Sequence, residues 1–234
     1  KELLKQISSH EMDNRNAWKS KLKDEFILII DILEKFKDNN EAKSILKVLF
    51  LNQKPSNSNR SLGDSNDETH FSYALEDLDN IGKKYILQKL CEKFEYNPYT
   101  YSNLARYYYY IEENEMEALN YIQKALNIQE DYTFYHIKGI ILAKKMINYI
   151  EKNVGEIKKD NKAFVDKLNN SFEEIEYAYD KSIELNIQNI AALTSKLNYI
   201  LTVIRCVNNK ICHDGIKVSD MLSMEKYSWC NEYI

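Results

Sequence analysis

The sequence predicts an all-α fold, from its composition and from the order of its apolar residues. Glycine and proline number 5 and 2 among 234 residues, whereas the two together make up roughly 12% of an average protein. Because sheet proteins need turn residues often, a chain this poor in them is expected to be helical. Hydrophobic residues make up 44% and charged residues 29%, which is the composition of a folded domain. Apolar residues recur at spacings of three and four, the period of one helix face.

The N-terminal part of the chain is predicted to hold two helices. Residues 1–37 read as helix with a break at the polar run DNRN. After the break, apolar residues at helical spacing form one stripe, which predicts the side on which the helix packs. The residues of this stripe are Trp18, Leu22, Phe26, Ile29, Ile30 and Leu33. A second helix is expected over residues 40–52.

A polar segment separates these helices from the rest of the chain. Residues 53–68 contain one proline, one glycine and no apolar period, so we expect a flexible surface loop there. A short helix at 69–78 and a longer one at 81–94 should follow. We therefore divide the chain into an N-terminal helical segment, residues 1–75, and a larger domain, residues 76–234.

Four consecutive tyrosines mark the next helix, which should begin near Pro98 because proline suits a first helical turn. At about 100° per residue, Tyr107 and Tyr108 should face neighbouring helices, whereas Tyr109 and Tyr110 should rotate outward. The polar turn EENE then leads into another helix, EMEALNYIQKAL. The two helices and the tight turn between them are therefore predicted to form a helical hairpin.

This hairpin resembles the tetratricopeptide repeat (TPR), a unit of about 34 residues with two antiparallel helices. The first helix of that repeat carries a bulky aromatic, a leucine, a small residue and a tyrosine, here Tyr101, Leu104, Ala105 and Tyr108. The second helix carries alanine, a bulky residue and alanine, here Ala118, Ile122 and Ala125. The small residues let two backbones approach closely. The resemblance implies antiparallel helical hairpins stacked as a TPR-like right-handed superhelix.

Two further units continue the pattern. In DYTFYHIKGIILAKKM, Gly139 stands at the small-residue position and Leu142 at the tyrosine position. Its second helix, at 172–189, follows an insertion near 152–170 that we expect to be either extra helix or an edge loop. The key places of that second helix hold Ile175, Tyr179 and Ser182.

The stretch NIAALTSKLNYILTVI is predicted to be the first helix of a third repeat unit. Its apolar residues Leu193, Leu197 and Ile200 are expected to face inward. Residues 216–229 should form a C-terminal capping helix that covers the end of the stack. The residues expected to do so are Val218, Met221, Leu222 and Tyr227.

The resemblance also implies a binding groove, because the first helices of such repeats line the concave side of the stack. The implied partner-binding residues are Tyr99, Ser102, Arg106, Tyr109, Tyr110, Thr133, His136, Ile140, Lys144, Ala191, Thr194 and Asn198. This mixture of rings, hydroxyls and basic groups suits an extended peptide or a protein edge better than a small metabolite. The lysine and asparagine clamp that holds acidic chaperone tails in some relatives is not reproduced, because Ser102 and Arg106 occupy its first two places.

Charge and composition exclude other classes of function. A net charge of −4 argues against general nucleic-acid binding. No run approaches the ~18 apolar residues that a membrane helix requires, so we expect a soluble, cytoplasmic chain. The cysteines at 91, 206, 212 and 230 lack CxxC spacing, and we expect reduced thiols with no metal and no cofactor. Because the chain begins with Lys1 and lacks a signal peptide, we expect it to be part of a longer protein.

No catalytic signature is found in the sequence. HExxH, GxSxG and a glycine-rich phosphate loop are absent. All-helical RNases with an RxxxxH motif are an alternative, but Arg60 precedes His70 by ten residues and Arg205 precedes His213 by eight. We therefore expect no enzymatic activity.

A further resemblance concerns context. The stretches HFSYALEDL, NPYTYSNLARYYYY and FYHIKGI, in that order, resemble the C-terminal helical-repeat regions of large bacterial P-loop ATPases of the NACHT-like (STAND) signalling class. That resemblance implies a region that senses a foreign or effector protein. Two functions remain: a protein-binding repeat module, or a structural connector that supports an oligomer and has no ligand of its own.

Overall fold

The computed structural model describes residues 2–43, 75, 78–153 and 162–210, and these lie in helices and the turns between them, without a strand. The all-α prediction is therefore confirmed. The helices, in chain order, are α1 (Glu2–Glu34), α2 (Asn80–Lys93), α3 (Pro98–Tyr110), α4 (Glu115–Ile128), α5 (Tyr132–Lys152), α6 (Lys162–Leu185) and α7 (Ile190–Lys210). They belong to two compact units, Lys1–Glu112 and Glu113–Ile234. None of these helices combines the length and the apolar character needed to cross a membrane.

α1 runs without interruption through DNRN, so the predicted break is wrong. Asparagine and aspartate have low helix propensity, but unlike proline they remove no backbone hydrogen bond. The predicted stripe is correct in part. Phe26 and Ile30 are buried, and Leu22 and Leu33 are half-buried, but Ile29 is exposed.

In the first unit, α1 lies alongside α2 and runs in the same direction. Near the start of α2, the Lys23 ammonium lies 4.5 Å from the centre of the Tyr85 ring. Near its end, Lys93 forms an ion pair with Glu34 at 2.8 Å. Because both contacts advance together along the two helices, the pair is parallel and is not a hairpin of the repeat type.

α2 and α3 form an antiparallel hairpin with a turn at residues 94–97. The Tyr107 hydroxyl donates to the carbonyl of Asn80 at 2.9 Å, at the open end of the hairpin. The Tyr101 hydroxyl donates to the carbonyl of Cys91 at 3.4 Å, close to the turn. The predicted partner of α3 was the helix that follows it, α4, which belongs to the second compact unit.

α4 and α5 begin the second unit and are antiparallel. Lys138 Nζ donates to Gln123 Oε1 at 3.1 Å, and Asn148 Nδ2 donates to Glu115 Oε1 at 2.7 Å. The alanines predicted to allow close approach, Ala118 and Ala125, are fully buried together with Ile122.

α5 and α6 form the next antiparallel pair. The Ser182 hydroxyl donates to the carbonyl of Tyr132 at 2.7 Å, and Gly139 is buried against the ring of Tyr179. α5 continues to Lys152 and α6 begins at Lys162, so the described residues of the insertion predicted near 152–170 are helical except for Asn153. Residues 154–161 lie outside the described part of the chain. Ile175, Tyr179 and Ser182, the predicted key places of α6, are at most 1% exposed.

α7 runs parallel to α5. A hydrogen bond of 2.9 Å joins His136 Nε2 to Ser195 Oγ, and the Tyr199 hydroxyl donates to Met146 Sδ at 3.2 Å. An antiparallel pair followed by a parallel helix is the order expected of successive hairpins.

The predicted inward face of α7 is correct for Ile200, which packs against the core, and wrong for Leu193 and Leu197. Leu193 and Leu197 are 50% and 53% exposed, and Ile200 is half-buried. The residues that enter the core are Ala192, Tyr199, Val203 and Cys206. α7 is apolar on two faces, so periodicity alone could not tell which of them contacts α5 and α6.

Several sequence predictions lie partly or wholly outside the described residues. The helix predicted at 40–52 begins as expected after Asn39, whose side chain accepts from the N–H groups of Glu41 and Ala42, but it is described only to residue 43. Of the short helix at 69–78, the described residues Leu75 and Leu78 are buried. The loop at 53–68 and the capping helix at 216–229 are outside the described part of the chain.

Candidate functional site

The four consecutive tyrosines divide between the interior and the surface of the first unit. Tyr107 and Tyr108 are buried, Tyr109 is half-buried and Tyr110 is 62% exposed. The division predicted from helix geometry is therefore confirmed for Tyr107, Tyr108 and Tyr110, whereas Tyr109 is intermediate. The rings of Tyr109 and Tyr110 meet edge to face, with centroids 4.7 Å apart, which is a favoured aromatic arrangement. The outer half of the tyrosine run is therefore an ordered aromatic pair at the surface.

The inner half of the run has a packing role. The Tyr107 hydroxyl is bonded to the carbonyl of Asn80, and burial raises the pKa of this phenol. The ammonium of Lys84 lies 5.1 Å from the centre of the Tyr108 ring and forms an ion pair with Glu112 at 2.6 Å. Both rings are held by neighbours within their own unit and are unavailable to a ligand.

Arg106 lies one helical turn before Tyr110 on α3 and is half-buried. Within the described part of the chain, its guanidinium has neither an ion-pair partner nor a hydrogen-bond acceptor. Burial lowers the pKa of Arg106, and only the neighbouring Tyr110 opposes that shift. Guanidinium groups that lose water normally gain a carboxylate or phosphate in exchange. Arg106 therefore has the character of an anion-binding group for which the described residues supply no anion.

The remaining predicted groove residues of α3 differ in accessibility. Tyr99 is half-buried, and its backbone N–H donates to Asn97 Oδ1 at 3.0 Å in the cap of the helix. Ser102 is only 3% exposed, so its prediction as a partner-binding residue is wrong. A helix turns by about 100° per residue, and a register error of one position is enough to exchange a surface residue for a core residue.

The other predicted groove residues belong to the second unit. On α5, Lys144 is exposed, whereas Thr133, His136 and Ile140 are half-buried. On α7, the exposed residues of the set are Ala191, Thr194 and Asn198. The hydrogen bond between His136 and Ser195 joins these two helices. The α3 residues thus form one candidate surface, and the α5 and α7 residues form another.

His136 and Ser195 also have the separation of a base and a nucleophile. Both lie inside helices, where backbone N–H groups are committed to the helical hydrogen bonds and cannot stabilise an oxyanion. We interpret the pair as a contact between two helices.

A cavity of about 270 Å³ opens in the second unit and was not expected from the sequence. Its lining includes the lysines Lys145, Lys152 and Lys167 and the carboxylates of Glu115 and Glu174. The mixture of charges favours no single ligand class. No sequence signal could have found it, because the lining comes from α4, α5 and α6.

Comparison with protein-family models, with curated proteins and with solved structures found no match to the chain. Among the described residues, no group of three or more metal-ligating side chains is close enough to hold a metal ion. Cys91 and Cys206 are buried, and Cys212 and His213 lie outside the described residues. Fold and site together define an all-α protein of packed helices with two candidate interaction surfaces.

Proposed function

We propose that this chain is a non-catalytic protein-interaction module that binds a peptide or a protein edge on the outer face of α3. The observation that supports this proposal is the proximity of two features on α3. One is Arg106, a half-buried guanidinium with no anionic partner among the described residues, and the other is the ring pair of Tyr109 and Tyr110. Tyrosine and arginine are the residue types that dominate the binding energy of many protein interfaces.

The chemistry of this surface selects an acidic group next to an apolar or aromatic side chain. A carboxylate would give Arg106 the bidentate hydrogen bonds that its burial leaves unmade. The exposed ring of Tyr110 would cover the adjacent side chain at a low cost in conformational entropy, because tyrosine has few rotatable bonds.

An array of synthetic peptides tests this function. Each peptide carries one Asp or Glu beside an aromatic residue and is paired with its Asn or Gln analogue. We expect the chain to bind a subset of the acidic peptides. Arg106→Ala should weaken that binding at least about tenfold, since removing one partner of a buried, hydrogen-bonded charge pair costs about 2–5 kcal/mol. Arg205→Ala, which removes an exposed arginine from α7, is the matched control and should bind as wild type. Equal binding by the acidic and amide peptides, or by the Arg106→Ala variant, would contradict the proposal.

The proposal extends to architecture and context. We infer that the hairpins stack as a TPR-like superhelix, supported by the antiparallel pairing of α5 with α6 and the parallel placement of α7 beside α5. We also infer that the chain serves as the sensor region of a larger NACHT-like signalling or defence ATPase in the cytoplasm. This second inference rests on the sequence resemblance alone.

A structural connector is the second candidate, and exposed apolar residues on α1 favour it. Leu28, Ile29 and Ile32 on α1, and Phe36 just after its end, are between 42% and 60% exposed. Their spacing places the three α1 residues toward one side of the helix. If they form an oligomer interface, sedimentation velocity should show concentration-dependent association that Ile32→Lys abolishes. If wild type remains monomeric at about 100 µM, a concentration above most specific dissociation constants, the connector is excluded.

A further inference from the structure

α7 has an apolar face that the described residues leave uncovered. Ile190, Leu193, Leu197 and Leu201 are 75%, 50%, 53% and 49% exposed. They recur every three or four residues, so they form one continuous stripe along the helix. We call these four residues the α7 stripe. Its length, from the first to the last residue, is about 16 Å at 1.5 Å per residue.

The contacts of two lysines place α5 and α7 in equivalent registers. Lys138 on α5 donates to Gln123 on the preceding helix, α4, at 3.1 Å. Lys196 on α7 donates to Asp180 on its own preceding helix, α6, at 2.7 Å. Each lysine thus reaches back from one helix to the helix before it, and the two residues hold equivalent places.

Because the two registers are equivalent, the α7 stripe corresponds to the face of α5 that packs against the next helix, α6. On α5, Tyr135 lies three residues before Lys138, and Gly139 lies one residue after it. On α7, Leu193 and Leu197 hold the same positions relative to Lys196. Tyr135 and Gly139 are buried, and both contact the helix that follows α5. The Tyr135 ring lies 6.2 Å from that of Tyr177, and Gly139 abuts Tyr179. The α7 stripe is therefore the face that a following antiparallel helix would cover.

We propose that the α7 stripe is the docking surface for residues 216–229 of the same chain. α7 ends at Lys210, and 24 residues of sequence follow, 211 to 234. Their apolar residues Val218, Leu222 and Trp229 recur with the spacing of one helix face. Fourteen residues of helix would span about 21 Å, enough to cover the stripe. These residues lie outside the described part of the chain, so the proposal rests on α7 and on the sequence.

The covalent link favours this occupant over a separate molecule. A segment that begins six residues after Lys210 is held near the stripe at an effective concentration in the millimolar range. A second copy or another protein would have to displace it. The proposed occupant of the α7 stripe is thus a segment of the same chain, and the stripe is distinct from the peptide surface proposed on α3.

Hydrogen exchange of the full chain tests the proposal. An isolated helix of this length is marginal in water, so slow exchange of backbone amides in 216–229 requires docking. We expect Leu197→Lys to accelerate exchange there at least about tenfold, since a buried ammonium opposes docking. Thr202→Lys places the same charge at an exposed position of α7 outside the stripe and should leave exchange unchanged. Far-UV circular dichroism checks that both variants remain folded.

Three outcomes would overturn the proposal. Residues 216–229 could exchange at the unprotected rate in wild type, which leaves the stripe to another partner. Their protection could survive Leu197→Lys, which places the segment elsewhere. Wild type could sediment as a dimer that Leu197→Lys converts to a monomer, which assigns the stripe to a second copy.

Discussion

Tyr179→Ala should lower the free energy of unfolding of the second unit by about 3–5 kcal/mol, the usual cost of removing a large buried aromatic side chain. Tyr179 lies on α6, is 1% exposed and packs against α5 and α7. Its ring centre lies 6.2 Å from that of His136 on α5 and 6.4 Å from that of Tyr199 on α7. Alanine would leave a cavity where three helices meet, and backbones held apart by other side chains cannot close it.

Urea denaturation followed by circular dichroism measures this loss. Tyr177→Ala is the matched control, because Tyr177 lies two residues earlier on the same helix and is 54% exposed. Its loss should stay below about 2 kcal/mol, because the side chain is half in solvent and contributes one edge-to-face ring contact, with Tyr135. Similar losses for the two variants would show that Tyr179 is not a core residue.

Gly139→Ala should lower the free energy of unfolding by about 1–3 kcal/mol, the typical cost of overpacking. A methyl group at Gly139 would lie 2.9 Å from the ring of Tyr179, closer than van der Waals contact allows. On helix propensity alone, alanine should stabilise α5 by about 1 kcal/mol relative to glycine. The sign of the measured change therefore separates the two effects, and a loss means that the contact dominates.

A double-mutant cycle assigns the loss to this contact. In a Tyr179→Leu background the ring is absent, so adding Gly139→Ala should be neutral or stabilising. The same loss in both backgrounds would place the clash elsewhere. Chemical denaturation of the four proteins in the cycle gives the coupling free energy.

Sequence alone predicted those parts of the fold that local chemistry controls. The scarcity of glycine and proline predicted an all-helical chain, and Pro98 marked the start of α3. Gly139 was predicted to stand where two helices approach closely, and it does. The predicted break at DNRN failed because residues of low helix propensity are tolerated when neither proline nor glycine interrupts the turn.

Where a helix has two apolar faces, the sequence could not predict which of them is buried, because that depends on contacts with helices distant in the chain. α7 has leucines on one face and Ala192, Tyr199 and Val203 on the other, and only the position of α5 and α6 decides which face is buried. For the candidate site, the exposure of Tyr110 followed from helix geometry. That Arg106 has no carboxylate partner among the described residues did not follow, because it depends on which carboxylates the fold brings near. Ser102 failed for the same reason as Leu197: the sequence gives the period of a helix more reliably than its rotation.

The parallel packing of α1 on α2 has an electrostatic consequence. The C-terminal ends of both helices carry the negative poles of their macrodipoles, and the last turn of α1 adds Asp31 and Glu34 with no basic residue of its own. Lys89 and Lys93 on α2 reach these carboxylates at 3.3 and 2.8 Å. Two lysines therefore neutralise the crowded negative ends of two helices. At 1 M salt, where the Debye length falls to about 3 Å, α1 should be the first element of its unit to loosen.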